Sequence, residues 1–523
     1  MNRTAFIAMI VGSAGLAAAQ VSPRVIFTKI PTHPTSLVPG AKDIDGNPVV
    51  TNFRAMEDLI ADPNRSGRWI LKSRNQLGSD LETCLVAARD GAPFMLAQEG
   101  QFCPGSDPSH RYDFFASAMG RYDSAGNHVL GFRARTNATG TASNPADGHR
   151  IAVWDGSTID VRITQSDLIT GLQDTTATGD ERFGNSVGSA HLLDSGVIGT
   201  QDSTITGIHS SRRPAIMYDH AGFQQSNVSA MTALDGSAST WANFLANTFY
   251  TTPDGEHWIA LGRRAGQATA DDMLAYDNTA VIETGSPIGG SGFTVSDVFA
   301  ADILADGTWL ARGDDPADND WFARDGVVLA KTGDPITPGS TELWGNTFLA
   351  FAANTRGDWI LIGNTSEAAT DRDTVVVLNG TRVLLREGDP LDLDGNGQFD
   401  DNVFIGRSNS ANAAFLANGV QLTEDGTVYM VVNIRDSDGI EYNTTPAFGT
   451  PNAFITFNLD PGSPCPACAA DYNQDGGVDG ADVESFYTDW EAAGQCADVN
   501  EDGGVDGGDV ETFFTRWEAG GCN

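Results

Sequence analysis

Basic residues are scarce in this chain: 31 Lys and Arg stand against 69 Asp and Glu, for a formal net charge of −38. Such a surface repels phosphate backbones and anionic lipid headgroups, so nucleic acid is not an expected partner. Cations are its natural counterpart, either as bound calcium or as the counterions of a salty exterior. Long apolar runs are also missing. A membrane helix needs about 20 apolar residues, and beyond the first twenty residues no segment approaches that, so no membrane span is expected. The opening stretch is a different object. A basic start at Arg3, an apolar run from Ala5 to Leu16 and then Ala17-Ala18-Ala19 read as a signal peptide over residues 1–19, cleaved after Ala19. The mature chain is therefore expected to be secreted, extracellular or cell-surface associated.

Cysteine and histidine are sparse as well. The eight histidines show no metal-ligand spacing such as H-E-x-x-H, and no glycine loop of the phosphate-cradling kind is present. Gly184-Asn185-Ser186-Val187-Gly188 matches the G-x-S-x-G string of serine hydrolases, but no strand, elbow and helix series surrounds it. The catalytic residues, if there are any, are unknown from sequence. The six cysteines, an even count in an exported chain, favour disulfides. Cys84 and Cys103 lie apart from the rest and are expected to pair. Cys465, Cys468, Cys496 and Cys522 admit three connectivities, and Cys465-Pro-Ala-Cys468 lacks the βαβ pattern of a redox motif.

What is abundant is turn chemistry: 59 Gly and 22 Pro break the chain into short apolar or alternating runs. That is an all-β signature. The runs recur in order. A glycine-ended turn followed closely by an aromatic or β-branched strand occurs seven times, at Gly67, Gly126, Gly196, Gly255, Gly307, Gly357 and Gly426. Some 18 to 29 residues after each of the first six comes a second turn, at Asp90-Gly91, Asp155-Gly156, Asp219 to Gly222, Asp277-Asn278, Asp325-Gly326 and Asn379-Gly380. One hairpin turn per half-repeat fits four strands per unit. A lone four-stranded sheet cannot cover both its faces, so repeats of this length point to a β-propeller over residues 20–460. Seven blades are expected. Six or eight stay open because the third copy is degenerate and the last lacks a clear second turn; a β-sandwich or a right-handed β-helix is the alternative architecture. Thr252-Pro253-Asp254-Gly255-Glu256-His257-Trp258 is reminiscent of the Asp-box turn of sialidase-type propellers but lacks one residue of it, and reads as a structural turn beside a buried Trp.

A Pro-rich stretch around Pro461 to Pro466 ends the repeats, and residues 461–523 hold two copies of another design, 27 residues apart. In the first copy Asp471, Asn473, Asp475, Gly477, Asp479 and Asp482 fall at loop positions 1, 3, 5, 7, 9 and 12; in the second, Asp498, Asn500, Asp502, Gly504, Asp506 and Asp509 do so. Carboxylate and amide oxygens at these positions, with a backbone carbonyl at position 7 and a glycine at 6 to turn the chain, suit a hard cation of calcium's size. Each loop opens a helix with the same apolar stripe, Val483, Phe486, Tyr487 and Trp490, then Val510, Phe513, Phe514 and Trp517. This pair of loops and helices resembles a type I dockerin, in the cysteine-bearing variant whose repeats close with Trp, Gly and Cys. The resemblance implies a small all-α module that binds two Ca2+ ions and anchors the chain to a cohesin-like or other cell-surface protein. Loop positions 10 and 11, where dockerins often carry partner-selecting side chains, are Gly480-Ala481 and Gly507-Gly508 here, so cohesin binding does not transfer with the calcium sites.

A third loop inside the propeller, Asp392, Asp394, Asn396, Gln398 and Asp400, repeats the spacing at positions 1, 3, 5, 7 and 9. Its position 12 is Val403, so a further carboxylate must come from Asp401 or elsewhere. The functional expectation is a secreted, calcium-binding, dockerin-anchored propeller that acts as an extracellular binding or assembly module, with polysaccharide as one ligand class. The alternative is a polysaccharide-degrading hydrolase bearing a dockerin. Glycosidase chemistry would need a carboxylate pair at a fixed separation, and among 69 acids the sequence selects none.

Overall fold

The computed structural model describes residues 21, 23–89, 92–104, 110–116, 120, 122–135, 148–172, 181–184, 187–205, 213–267, 272–396, 398–406, 414–440, 452–459, 468–472, 477–491, 495–497, 499–500 and 505–519. The signal-peptide segment, residues 1–19, lies outside them. The chain divides into two compact units between Phe457 and Asn458. Among the described residues no helix is long and apolar enough to cross a membrane.

The larger unit is an all-β propeller. Among the described residues its strands fall into seven sheets. Five are plain antiparallel meanders of four strands, in which each strand pairs with the next. The first holds Phe53–Ala61, Trp69–Asn75, Thr83–Ala88 and Phe94–Gln98. The second holds Arg111–Phe115, His128–Arg135, Gly148–Trp154 and Ile159–Thr164. The third runs from Val187–Leu192 to Ala221–Gln225, the fifth from Val298–Ile303 to Val327–Lys331 and the sixth from Trp344–Ala353 to Arg382–Arg386.

Four strands per unit does not hold for the other two sheets. The fourth has six, because the connection into it forms its own hairpin, Ala230–Thr232 and Ala238–Phe244, before Tyr250–Thr251, Trp258–Arg264, Met273–Tyr276 and Thr279–Glu283. The last has five, and its outer strand comes from the other end of the chain: Arg24–Thr28 pairs antiparallel with Asn452–Asn458. That is why the seventh copy lacks a second turn in sequence. Its fourth strand is covalently attached some 400 residues away, upstream of the first sheet.

The seven glycines of the repeat precede the second full strand of each meander, and all have φ between 75° and 98°. A Cβ is disfavoured in that region, which is why the turn keeps glycine. In the third to sixth sheets the second turn closes onto the first. Asp219, Asp277, Asp325 and Asn379 hold φ between 44° and 52°. Their side chains accept hydrogen bonds from the backbone N–H of Ile198, Trp258, Trp309 and Trp359, at 3.0, 2.9, 3.0 and 2.8 Å. In these four sheets the two turn signals are thus one structural device.

Apolar layers join successive sheets. On the strand Thr83–Ala88, Cys84, Val86 and Ala88 pack toward the last sheet with Phe27, Trp69, Tyr429 and Phe454. Leu85 and Ala87 pack toward the second sheet with Tyr112, Phe115, Phe132 and Cys103. The expected Cys84–Cys103 disulfide is therefore absent, and both residues are buried outside any disulfide. They lie on opposite faces of one sheet, and alternation along a strand sets that separation. At the closing seam the ring of Trp69 meets Phe454 edge-on at 4.9 Å, and Phe27 lies 4.8 Å from Phe53.

Among the described residues of the smaller unit are two α-helices, α1 (Gly480–Glu491) and α2 (Gly507–Glu518). Cys468 and Cys496 are both disulfide-bonded.

Candidate metal centres

The C-terminal repeat becomes a near two-fold arrangement. Phe486 and Phe513, 27 positions apart, are fully buried and stack with ring centroids 4.1 Å apart and planes 1° from parallel. Tyr472 meets both edge-on, at 5.5 and 6.0 Å. The indole N–H of Trp490, on α1, donates to the backbone oxygen of Asp506 at 2.9 Å; that of Trp517, on α2, donates to the oxygen of Asp479 at 2.9 Å. Each helix therefore grips the other repeat's loop rather than its own.

The position-12 carboxylates end up inside. Asp482 and Asp509 are both 0% exposed. An oxygen of Asp482 accepts from the N–H of Asp479 at 2.8 Å, and an oxygen of Asp509 accepts from Asp506 at 2.8 Å. The second oxygen of Asp509 accepts from the N–H of Asn500 at 3.2 Å. Asp479 and Asp506 cap the helices, each accepting from the residue two positions on, Ala481 at 2.8 Å and Gly508 at 2.7 Å. Residues 458–523 contain one basic residue, Arg516, against fifteen acidic ones. Burying two carboxylates in so acidic a unit is costly unless cationic charge offsets it. The donors present are hard oxygens, and they fit a calcium-sized ion. Asp471 and Gly477 belong to the described residues of the first loop. Asn473, Asp475, Asp498, Asp502 and Gly504, like Cys465 and Cys522, lie outside the described residues.

In the propeller loop, Asp392, Asp394 and Asp401 bring carboxylate oxygens within 4.8 Å of one another. The geometry thus selects Asp401, which the position pattern left as an open choice, while Asp400 is exposed and outside the trio. Asn396 points its side chain along the loop: its amide donates to Asp394 at 3.1 Å and its oxygen accepts from the N–H of Gln398 at 2.6 Å. Asp401 also accepts from the N–H of Leu393 at 2.6 Å. The loop sits at the closing seam, since Asp392 bridges to Arg24 of the strand borrowed from the chain's start.

The remaining sequence candidates are structural. Gly184 donates its N–H to Asp202 at 2.6 Å and a strand, Val187–Leu192, follows, so no helix-borne nucleophile elbow forms; Ser186 lies outside the described residues. Asp254 accepts from Glu256 at 2.9 Å in a tight turn beside buried Trp258. His257 binds Asp277 at 2.6 Å, which raises the imidazole's pKa through that hydrogen bond.

The first strands of the first and sixth sheets both pack against Phe415–Leu422, which marks first strands as the innermost ones. The first two sheets carry charge networks between their first strands and the strands that follow. Arg74 binds both Glu57 and Glu82, Lys72 binds Glu57 at 3.3 Å, and Asp113 binds Arg133 and Arg135. These carboxylates serve as counterions to arginine and lysine.

One repeated feature escaped sequence reading although its signal was visible: W-x-x-x-G, as Trp258 to Gly262, Trp309 to Gly313 and Trp359 to Gly363. At each glycine a Cβ would lie under 3.0 Å from the carbonyl of the neighbouring segment (Asn243, Asp297 and Thr347) and 2.6 to 3.1 Å from an indole (Trp241, Trp321 and Trp344).

No protein-family model matches the chain, and no curated protein matches it. Among solved structures it is similar to the WD40 β-propeller domain of Doa1, at 12% identity over 76% of this chain and 92% of that one, TM-score 0.31. It is similar to the β-propeller domain of the Trilobed protease from Pyrococcus furiosus, at 9% identity over 77% and 96%, TM-score 0.36. A third is Drosophila Semaphorin 1a, extracellular domains 1-2, at 8% identity over 79% and 88%, TM-score 0.33. At these scores the likenesses carry nothing about function.

Proposed function

We propose that this is a secreted propeller carried on a dockerin-like module that folds around two Ca2+ ions, and that it serves as an extracellular binding or assembly unit. The observation that carries the calcium reading is the pair of fully buried carboxylates, Asp482 and Asp509, in a unit with a single basic residue. A divalent ion at each loop would supply cationic charge there, held by Asp471, Asn473, Asp475, the Gly477 carbonyl, Asp479 and Asp482 in one repeat and by their counterparts from Asp498 to Asp509 in the other. A third ion at Asp392, Asp394 and Asp401 would tie the last loop to the borrowed strand. We read the seven sheets as seven blades of one closed ring.

The module's role is anchoring, to a cohesin-like or other surface protein, and the propeller's is presenting a surface to glycan or protein. The test is calorimetric titration of the full mature chain with Ca2+, beside Asp482→Asn/Asp509→Asn. Two fewer ions bound by the double variant supports the reading; equal stoichiometry overturns it.

A further inference from the structure

Among the described residues five phenylalanines are exposed, and three of them carry a cation against the ring. Arg111 lies 4.1 Å from the ring centroid of Phe102, Lys72 lies 5.3 Å from that of Phe114, and Arg312 lies 5.5 Å from that of Phe299. In a fourth pair Lys331 lies 4.9 Å from the half-buried Phe293. The pairs form two stations. Phe102 and Phe114 belong to the passage from the first sheet into the second, Phe293 and Phe299 to the passage from the fourth into the fifth. Arg89 over Trp154 is of another kind, because that indole is buried and offers no surface.

Two of the rings are set outside by a β-bulge. On Arg111–Phe115 the pairing with the next strand slips between Tyr112 and Phe114, and on Val298–Ile303 it slips between Val298 and Ala300. Residues three apart, Tyr112 with Phe115 and Val298 with Ala301, then share the apolar layer, where plain alternation would join residues two apart. Phe114 and Phe299 fall between them and are left 42% and 47% exposed.

With 69 acidic residues to 31 basic ones, carboxylate partners are plentiful in this chain. Yet Arg111 is held by the carbonyls of Ile44 and Gly100 at 3.0 and 2.5 Å, Arg312 by that of Phe348 at 2.7 Å, and Lys331 by that of Ser291 at 2.7 Å. Backbone dipoles position these three heads without neutralising them. Asp320 bears on Arg312 electrostatically but does not pair with it, and one of its oxygens accepts from the N–H of Phe348 at 2.5 Å. Lys72 differs: Glu57 and Asp58 lie 3.3 and 3.6 Å from its ammonium, so that pair offers its ring alone.

We propose that the two stations bind an acidic glycan, a polymer whose units each bring a pyranose ring and a carboxylate or sulfate. This rests on the propeller being a presenting surface and is independent of the calcium sites. The unit repeated on the protein, a phenylalanine beside a cation without a carboxylate, matches the unit repeated on such a polymer. The ring takes the apolar C–H face of the sugar, and the guanidinium or ammonium takes the oxyanion. The net charge of −38 opposes a polyanion from afar. At physiological salt that field is screened beyond about 8 Å, so the cation in contact decides at close quarters.

The experiment is calorimetric titration of the full mature chain with four probes: a short oligogalacturonate, a sulfated galactan oligomer, a neutral galactan oligomer and polyglutamate. Phe102→Ala/Phe299→Ala removes a ring from both stations, and Arg111→Gln/Arg312→Gln removes a cation from both. Phe94→Ala, an exposed ring beside the second turn of the first sheet, is the control. The expected result is binding of one or both acidic glycans, with the neutral oligomer and polyglutamate at least about tenfold weaker. Each double variant should lose about tenfold in affinity, and Phe94→Ala should lose none. The two acidic glycans separate carboxylate from sulfate recognition. A neutral oligomer that binds as tightly shows that the cations play no part, and polyglutamate that binds as tightly shows that the rings play none; either overturns the proposal. Acidic-glycan binding that Phe102→Ala/Phe299→Ala leaves unchanged also overturns it, while sparing the propeller as a glycan-presenting surface. Binding of none of the four overturns it and removes glycan from that surface's ligands. Thermal melts identify an arginine variant that does not fold; the exposed phenylalanines then decide the question alone.

Discussion

Asp325 accepts a hydrogen bond from the backbone N–H of Trp309 at 3.0 Å, and its own N–H donates to the oxygen of the same residue at 2.9 Å. Sixteen positions separate the two residues, yet they form one closed contact between a turn and the start of the neighbouring strand. The same contact recurs with Asp219 and Ile198, Asp277 and Trp258, and Asn379 and Trp359. It fixes the register of the central hairpin in each of these sheets.

Asp325→Ala should therefore cost about 1 kcal/mol, the net worth of one backbone-capping hydrogen bond plus some strain at a left-handed position. Asp325→Asn should cost much less, since Asn379 already fills the equivalent place. Urea unfolding of both variants, read at the midpoint, checks the order.

Gly313→Ala should destabilise, the opposite sense to a glycine-to-alanine exchange inside a helix. The added methyl would overlap the carbonyl of Asp297 and lie 2.6 Å from the Trp321 ring. Overpacking of this kind costs about 1–3 kcal/mol. A thermal melt at or above that of the unmodified chain would refute the close-approach explanation of W-x-x-x-G.

Stability should fall as pH rises from about 5 to 8 in saturating Ca2+. Burial pushes Glu99 and Glu387 up to about 7. In the unfolded chain a glutamate titrates near 4.3, so across this interval the folded state holds more protons than the unfolded state. The stability associated with those protons is complete below the unfolded value and is lost as pH passes through the folded one. Arg135 and Arg435 partly oppose the shifts, while Asp113, Asp371 and Asp373 reinforce them. Melting temperatures of Glu99→Gln and Glu387→Gln across that range should show a flatter profile; a slope equal to that of the unmodified chain would rule these residues out as its source.

Cys84 and Cys103 should be inert to thiol reagents at pH 8 in the native chain, and both should react once it is unfolded without reductant. Cys84 is fully buried and its thiol is pushed up to about 12 by that burial, and the thiolate is the reactive form. Mass spectrometry after alkylation with and without denaturant counts them. Adducts at Cys84 and Cys103 in the native protein, or none at either after unfolding, would contradict their assignment as buried thiols.

The all-β class, the repeat and the loop-and-helix pair at the C-terminus could be read from the sequence because each is a local signal. A glycine at φ near 80°, an alternating apolar run and oxygen donors at fixed offsets depend on neighbours a few residues away. Gly67, Gly307 and Gly426 mark their turns, and the 27-residue offset already pairs Phe486 with Phe513. What only the tertiary structure decided are relations between distant segments. Arg24–Thr28 supplies the outer strand of a sheet whose other members begin beyond residue 400. Cys84 and Cys103, close in sequence, were separated by the sheet between them. Asp401 rather than Asp400 turned toward Asp392 and Asp394. Trp490 and Trp517 reached across to each other's loops. Periodicity dictates which face of an element is apolar, but it does not say which distant element will cover that face, and ring closure and helix pairing settle that only when the whole chain has folded.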